Sequence, residues 1–367
     1  MGSYKIKIDI ENTTGYRCIM PQIHNVNIQH IDPLASPKEY LKQFPSTSQI
    51  SQLVAGGREQ ISRILRGEDN RMLLITGPCS LHDVQAGYEY AQRLKRLADE
   101  LQDRLLVVMR VYFEKPRTTV GWKGLIYDPH LNGSCDINSG LQMAREFLLQ
   151  VSNLGLLTAI EFVDPITPQY IADMYSWAAI GARTAESQTH RQMSSGLSMP
   201  VGFKNGTGGS IQLAVDGVVA AQAAQAFLGV DDDGKASVVV TNGNPDTHIV
   251  LRGGSAGPNF DSASIADATD RLQRAGVRTQ MIVDCSHANC GKDHAKQRIA
   301  FHDVLNQRIA GNQNIVGMML ESHIFEGNQP LDESNPSKLK YGVSITDPCV
   351  GWEETVELLT AAYQALG

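Results

Sequence analysis

Four side chains of metal-ligating type stand at or just beyond the ends of short apolar runs or in a late loop: Cys79, His287, Glu321 and Asp347. A thiolate, an imidazole and two carboxylates suit a divalent transition metal. Four protein ligands with room for a water or a substrate oxygen would make such an ion a Lewis acid. The four are far apart in the chain, so spacing does not establish a site; only a fold that gathers strand ends could join them. A more compact rival, Cys285-x-His287-x-x-Cys290, is weaker. Cys285 closes the apolar run Met281–Cys285, where a free cysteine reads as core, and Cys290 has no fourth partner nearby.

Cations occupy similar positions. Arg110, Lys115 and Arg117, with Thr118, follow one apolar run; Arg183 follows a second, Lys204 a third and Arg252 a fourth. Surface lysines and arginines normally scatter over helices, whereas these would converge. Guanidinium forks match phosphate and carboxylate oxygens, and a focused positive field concentrates anions, so small phosphorylated acids are the natural substrates. The competing reading pairs some of these cations with Glu161 and Asp164 on a neighbouring run.

The elements that must position these groups are legible after residue 70, where β-branched runs alternate with amphipathic segments. Eight strands are expected at Met72–Pro78, Leu105–Phe113, Leu157–Val163, Trp177–Arg183, Pro200–Lys204, His248–Arg252, Gln280–Cys285 and Ile315–Glu321. Helices are expected at Ala86–Leu101, Ser139–Leu154, Ile211–Phe227, Ile265–Ala275 and His294–Ile309, with a final helix at the C-terminus. Eight strand-helix units predict an α/β fold, a (β/α)8 barrel spanning 71–367, rather than a doubly wound sheet, whose glycine-rich phosphate turn is absent after the first strand. Residues 1–70, an extension with a lead-in helix, and an inserted hairpin at about 229–245 fall outside the barrel and read as regulatory or oligomeric, or as plain loops.

The 367 residues, 42% hydrophobic and 19% charged, suit a large soluble core. No run approaches the length of a membrane span, and no signal pattern opens the chain, so a cytoplasmic protein is expected. A net charge of -7 speaks against non-specific nucleic-acid binding. Six thinly spread cysteines predict reduced thiols rather than a disulfide framework.

GPCS (77–80), KPRTTVGWKG (115–124), GARTAESQTHR (181–191), PVGFKNGT (200–207), IVLRGG (249–254), DCSHAN (284–289) and KYGVSITDPCVGWE (340–353) together resemble the type I 3-deoxy-D-arabino-heptulosonate 7-phosphate (DAHP) synthases, in the microbial subgroup regulated by aromatic amino acids. The resemblance runs from about residue 40 to the C-terminus. It implies condensation of phosphoenolpyruvate with erythrose 4-phosphate, the entry to the shikimate pathway. It also implies one divalent ion (Mn, Fe, Co or Zn) on Cys79, His287, Glu321 and Asp347. Phosphoenolpyruvate would set its carboxylate near Arg110, Lys115 and Lys204, and its phosphate on Arg183, Arg252 and the Ala182 amide. Erythrose 4-phosphate would use Arg117 and Thr118. Lys115 is expected to serve the developing alkoxide, with a pKa lowered by Arg110, Arg117 and Lys204. An aromatic amino acid is expected to inhibit from a pocket lined by Phe162, Pro168, Gln169 and Ser198, near the leading segment and the hairpin, in a homodimer or homotetramer. Read as plain structure, Phe162 is core, Pro168 opens a helix and Ser198 belongs to a turn. Two other classes remain: a different barrel enzyme, such as the eight-carbon sugar-acid phosphate synthase or a Schiff-base aldolase using Lys115 or Lys204, and a non-catalytic sensing scaffold.

Overall fold

A computed structural model describes residues 23–367, in two units divided between Ala35 and Ser36. Of the first, residues 23–35 are irregular, with a turn from Asn25 to Ile28. The second begins with α1 (Pro37–Gln43), capped by a reciprocal Ser36–Glu39 box, and α2 (Ser48–Leu65), capped by Thr47.

Then come β1 (Met72–Gly77), α3 (Val84–Leu101), β2 (Leu105–Arg110), α4 (Ile137–Asn153), β3 (Leu157–Glu161), the short α5 (Pro168–Ile171), β4 (Trp177–Ile180), α6 (Gln188–Gly196), β5 (Val201–Lys204) and α7 (Gln212–Gln222). The antiparallel pair β6 (Ala226–Val230) and β7 (Ala236–Val240) interrupts the alternation. It resumes with β8 (Thr247–Leu251), α8 (Ser262–Arg274), β9 (Met281–Asp284), α9 (Gln297–Ile309), β10 (Ile315–Glu321) and α10 (Trp352–Ala365). Eight parallel strands close in the order β1-β10-β9-β8-β5-β4-β3-β2, the (β/α)8 barrel expected from the alternation.

Closure follows from strands that are apolar on both faces. Leu73, Ile75, Val108, Ala159, Trp177, Val250, Ile282 and Met319 fill the interior, and Ile61, Ile64 and Leu65 of α2 pack with them. The alternate residues, among them Leu74, Met109, Ile160 and Val283, join the outer core. Gly77, at φ 150°, brings β1 against β2; a Cβ there would meet the Arg110 carbonyl at 2.9 Å.

Boundaries differ from expectation where chemistry begins. β2 stops at Arg110, β3 at Glu161, β4 at Ile180 and β8 at Leu251, so Arg183 and Arg252 stand on loops beyond their strands. The helix expected at Ile211–Phe227 ends at Gln222, and the hairpin occupies 226–240 rather than 229–245. Ala226–Val230 continues the apolar run of α7, but pairing with Ala236–Val240 across the Asp231–Lys235 turn draws it into a strand. No helix among the described residues is long and apolar enough to cross a membrane.

Candidate active site

The C-terminal mouth of the barrel collects nearly every residue singled out for chemistry. A cavity of about 330 Å³ is lined by Lys115, Arg117, Thr118, Glu161, Arg183, Arg252, His287, Lys292 and Asp347. Arg183 Nη2 donates to Thr118 Oγ1 at 3.0 Å, so the loops after β2 and β4 meet across it. Ala182 precedes Arg183 in the turn that starts at Gly181.

Two of the cations are already held by acids. Arg110 is wholly buried, with Nη2 3.2 Å from Glu321 Oε1 and Nε donating to Pro78 O, while Nη1 has no hydrogen-bond partner among the described residues. Lys204, 2% exposed, lies 2.9 Å from Glu161 Oε2 and 3.6 Å from Asp284 Oδ2. The pairing of Lys204 with Glu161 therefore holds, while Asp164 is hydrogen-bonded by Tyr127. Both cations face the Tyr112 ring, Arg110 at 4.0 Å and Lys204 at 5.7 Å from its centroid.

Ligand atoms of Cys79, Glu321 and Asp347 all lie within 4.8 Å of one another. His287 joins through Nε2, 3.4 Å from Glu321 Oε1, while Nδ1 is 2.9 Å from Asp284 Oδ2. Nδ1 also meets Ser286 Oγ at 3.0 Å, and with the ring proton kept on that side Nε2 turns a lone pair toward a carboxylate oxygen. That arrangement calls for a proton or a cation between them. Lys115 Nζ contacts Cys79 at its carbonyl (3.1 Å) and Sγ (3.2 Å), and Lys292 Nζ is 3.0 Å from Asp347 Oδ1. The donor set of one sulfur, one imidazole nitrogen and carboxylate oxygens fits a divalent transition metal.

Burial pushes the Cys79 thiol up to about 11, with Glu321 adding to the shift and Lys115 opposing it. A dication there would be what releases the proton. Burial disfavours charge on Asp347 and on Glu161, yet Lys115 with His287 in one case, and Lys204 with Lys115 in the other, hold each at about 2. The expectation for Lys115 is reversed. Burial opposes its charge, but Cys79, Glu321, Glu161 and Asp347 outweigh it and raise the pKa above the ordinary lysine value. The acids surrounding it, rather than neighbouring cations, set its state.

The DAHP synthetase I family model matches residues 44–360. The chain belongs to that family. Its 344-residue match to the Tyr-sensitive phospho-2-dehydro-3-deoxyheptonate aldolase of Escherichia coli (strain K12) is 49% identical and covers 94% of this chain and 96% of the relative. The Phe-sensitive aldolase of the same organism is 51% identical, over 92% and 96%. A solved phospho-2-dehydro-3-deoxyheptonate aldolase from Francisella tularensis SCHU S4 superposes with a TM-score of 0.90 at 43% identity, covering 93% of this chain and 98% of that one. For a DAHP synthetase I member, a site for a divalent ion at the strand ends is in keeping with the Cys79, Glu321 and Asp347 cluster.

Sequence reasoning passed over Tyr112 and Asp284. Tyr112 lies two positions beyond Arg110, which on an extended chain points both side chains the same way. Asp284 precedes His287 by three within a segment already conspicuous, and its charge is masked by the apolar run it ends. The residues expected to hold an inhibitor differ in burial. Phe162 is fully buried with its ring against Tyr175, Pro168 is buried at the start of α5, and Gln169 and Ser198 are exposed. Of the leading segment, residues 1–22 lie outside the described residues.

Proposed function

We propose that this DAHP synthetase I chain condenses phosphoenolpyruvate with erythrose 4-phosphate and water, giving DAHP and inorganic phosphate. The observation that carries the reading is one cavity walled by Lys115, Arg117, Arg183 and Arg252 directly beside the Cys79, Glu321 and Asp347 cluster. Phosphoenolpyruvate rests its phosphate on Arg183, Arg252 and the Ala182 amide, and its carboxylate toward Lys115, with Arg110 and Lys204 behind. Arg117 and Thr118 hold the phosphate of the aldose, and the Arg183–Thr118 contact keeps the two anion sites in register. Holding two anions face to face supplies the proximity term.

Cys79, His287, Glu321 and Asp347 would hold one divalent ion, Mn, Fe, Co or Zn, which would supply Lewis-acid polarisation of the aldehyde oxygen. Lys115, kept as an ammonium, gives a hydrogen bond and then a proton to the oxygen that becomes negative as the enol carbon attacks. Water adds to the cationic C2 left by that bond and gives one proton back to Lys115; the bond from C2 to the phosphorus-bearing oxygen then breaks, the second proton leaves on inorganic phosphate, and the C2 carbonyl forms. Glu161, kept ionised, fixes Lys204 and faces the same cavity, so it also favours the positive charge developing at C2.

An aromatic amino acid inhibits from a second site that includes Phe162, Pro168, Gln169 and Ser198, in keeping with the Tyr- and Phe-sensitive relatives. The chain works as a homodimer or homotetramer in the cytoplasm. The exposed Leu228, Val238 and Val240 on one face of the hairpin support association between copies.

The test is to supply both substrates and follow loss of the enol absorbance together with phosphate release, with and without borohydride. One phosphate per enol consumed and no trapped lysine is expected. Covalent trapping at Lys115 or Lys204 would instead indicate a Schiff-base aldolase.

A further inference from the structure

Glu114 is the residue immediately before Lys115, and its side chain is fully buried, with no cationic partner among the described residues. Four polar groups converge on it: the amide of Val163 at 3.3 Å, the amide of Asp164 at 3.1 Å, Thr167 Oγ1 at 3.2 Å and Tyr127 Oη at 3.4 Å. Three of these belong to the loop between β3 and α5. Tyr127 belongs to the far side of the loop that carries Arg117 and Thr118.

That substrate loop is closed by Lys115 N–H donating to Lys123 O at 2.8 Å. Gly124, at φ 113°, then turns back so tightly that a Cβ would lie 2.0 Å from the Phe113 carbonyl and 2.8 Å from the Glu114 Cα. Glu114 is thus gripped by the returning loop at its backbone and by the β3–α5 loop at its carboxyl. Between these grips the Arg117 and Thr118 side chains are exposed, and Arg183 reaches Thr118 from across the cavity.

The geometry points to Glu114 as a positioning residue for the condensation: it fastens the erythrose 4-phosphate loop to the β3–α5 loop and so fixes where Arg117 and Thr118 stand. The inference rests on the function proposed above. Lys115 is spared in part because its Nζ has a separate anchor on Cys79.

The knot also accounts for one proton. Tyr127 Oη faces two carboxylates, Glu114 Oε1 and Asp164 Oδ2 at 3.2 Å, but has a single hydrogen. If Glu114 carries a proton, it donates to Tyr127 and Tyr127 donates to Asp164, and every hydrogen has an acceptor. Without that proton, one carboxylate confronts a phenol lone pair. Burial pushes the Glu114 carboxyl up to about 8 against the pull of the two amides, and Asp164 adds to the rise. The titratable groups facing it are Tyr127, Asp164 and Tyr175, the last with its hydroxyl donated to Val111 O.

Steady-state kinetics of Glu114→Ala and Glu114→Gln, with amide exchange over 115–124, test this. Glu114→Ala is expected to raise KM for erythrose 4-phosphate roughly ten-fold and leave KM for phosphoenolpyruvate within about two-fold, with faster exchange at 117–123. In the wild type, KM for erythrose 4-phosphate should climb from about pH 7 to about pH 9 as the proton leaves, and Glu114→Gln should flatten that climb. Equal changes in both KM values, or an unchanged KM for erythrose 4-phosphate in a folded Glu114→Ala protein, overturn the inference. Should Glu114→Ala not fold, Tyr127→Phe and Thr167→Val must show the same split at smaller size; no split in either also overturns it. A wild type without condensation activity contradicts the proposed function instead.

Discussion

Which anion each cation serves is a question of single side chains. Arg117 and Arg183 both reach the cavity, from different loops, so their loss separates the substrates. Arg117→Ala should weaken chiefly erythrose 4-phosphate and Arg183→Ala chiefly phosphoenolpyruvate, each by about 1.5–3 kcal/mol in kcat/KM, the worth of a hydrogen bond to a charged group. Measuring both KM values in each variant checks it; equal effects on both substrates contradict the assignment. Glu161 gives a second prediction. Its pKa is depressed to about 2, so its contribution is present above about pH 4.5 and is lost as pH falls toward 2. Paired chemical denaturation of wild type and Glu161→Gln should show a gap on the order of 3 kcal/mol near neutrality that narrows below about pH 4.5. A gap that does not move with pH would assign the loss to packing. At this scale the sequence was legible wherever a charge or thiol followed an apolar run. Pairing was legible only in part: Glu161 was expected to hold one of the cations, but nothing in the spacing told that it would be Lys204, that Asp284 would share it, or that Arg110 would meet Glu321. Those contacts join strands remote in the chain.

At the scale of elements, the strands were legible because each is buried on both faces and reads as one apolar run. Their ends were overestimated at β2, β3 and β4, since buried, apolar sequence continues past the last strand residue, as at Val111–Phe113. The hairpin was misplaced for a different reason. Ala226–Val230 has the composition of either a helix end or a strand, and only its partner decides. Its strand pairing leaves Leu228 opposite Val238 on an exposed face, with Val240 beside them. Replacing Leu228 and Val238 together with lysine is expected to reduce the assembly to a smaller species in sedimentation or light scattering. A wild-type assembly in that variant would place the contact between copies elsewhere.

For the whole molecule, one closed barrel explains why residues from β1, β9, β10 and the loop before α10 share a site although the chain keeps them apart. Parallel strands all deliver their C-terminal ends to one rim, so eight apolar runs in alternation with helices already imply the convergence. What that argument cannot supply is the inhibitor site, whose candidate residues are ordinary in type and bear no charge signal. It is tested by assaying tyrosine, phenylalanine and tryptophan against wild type and Ser198→Phe. Inhibition of the wild type by one of them, lost in the variant, is expected; equal inhibition of both would exclude Ser198. The central claim, condensation dependent on a metal held by this chain's own thiolate, is tested most directly by anaerobic titration of chelated protein with cobalt(II), reading activity and the thiolate-to-metal absorbance in the same cuvette. The account predicts that both rise together and level off at one ion per chain, and that Cys79→Ala shows neither. Full activity before any metal is added, or activity that saturates without the thiolate band, would contradict it.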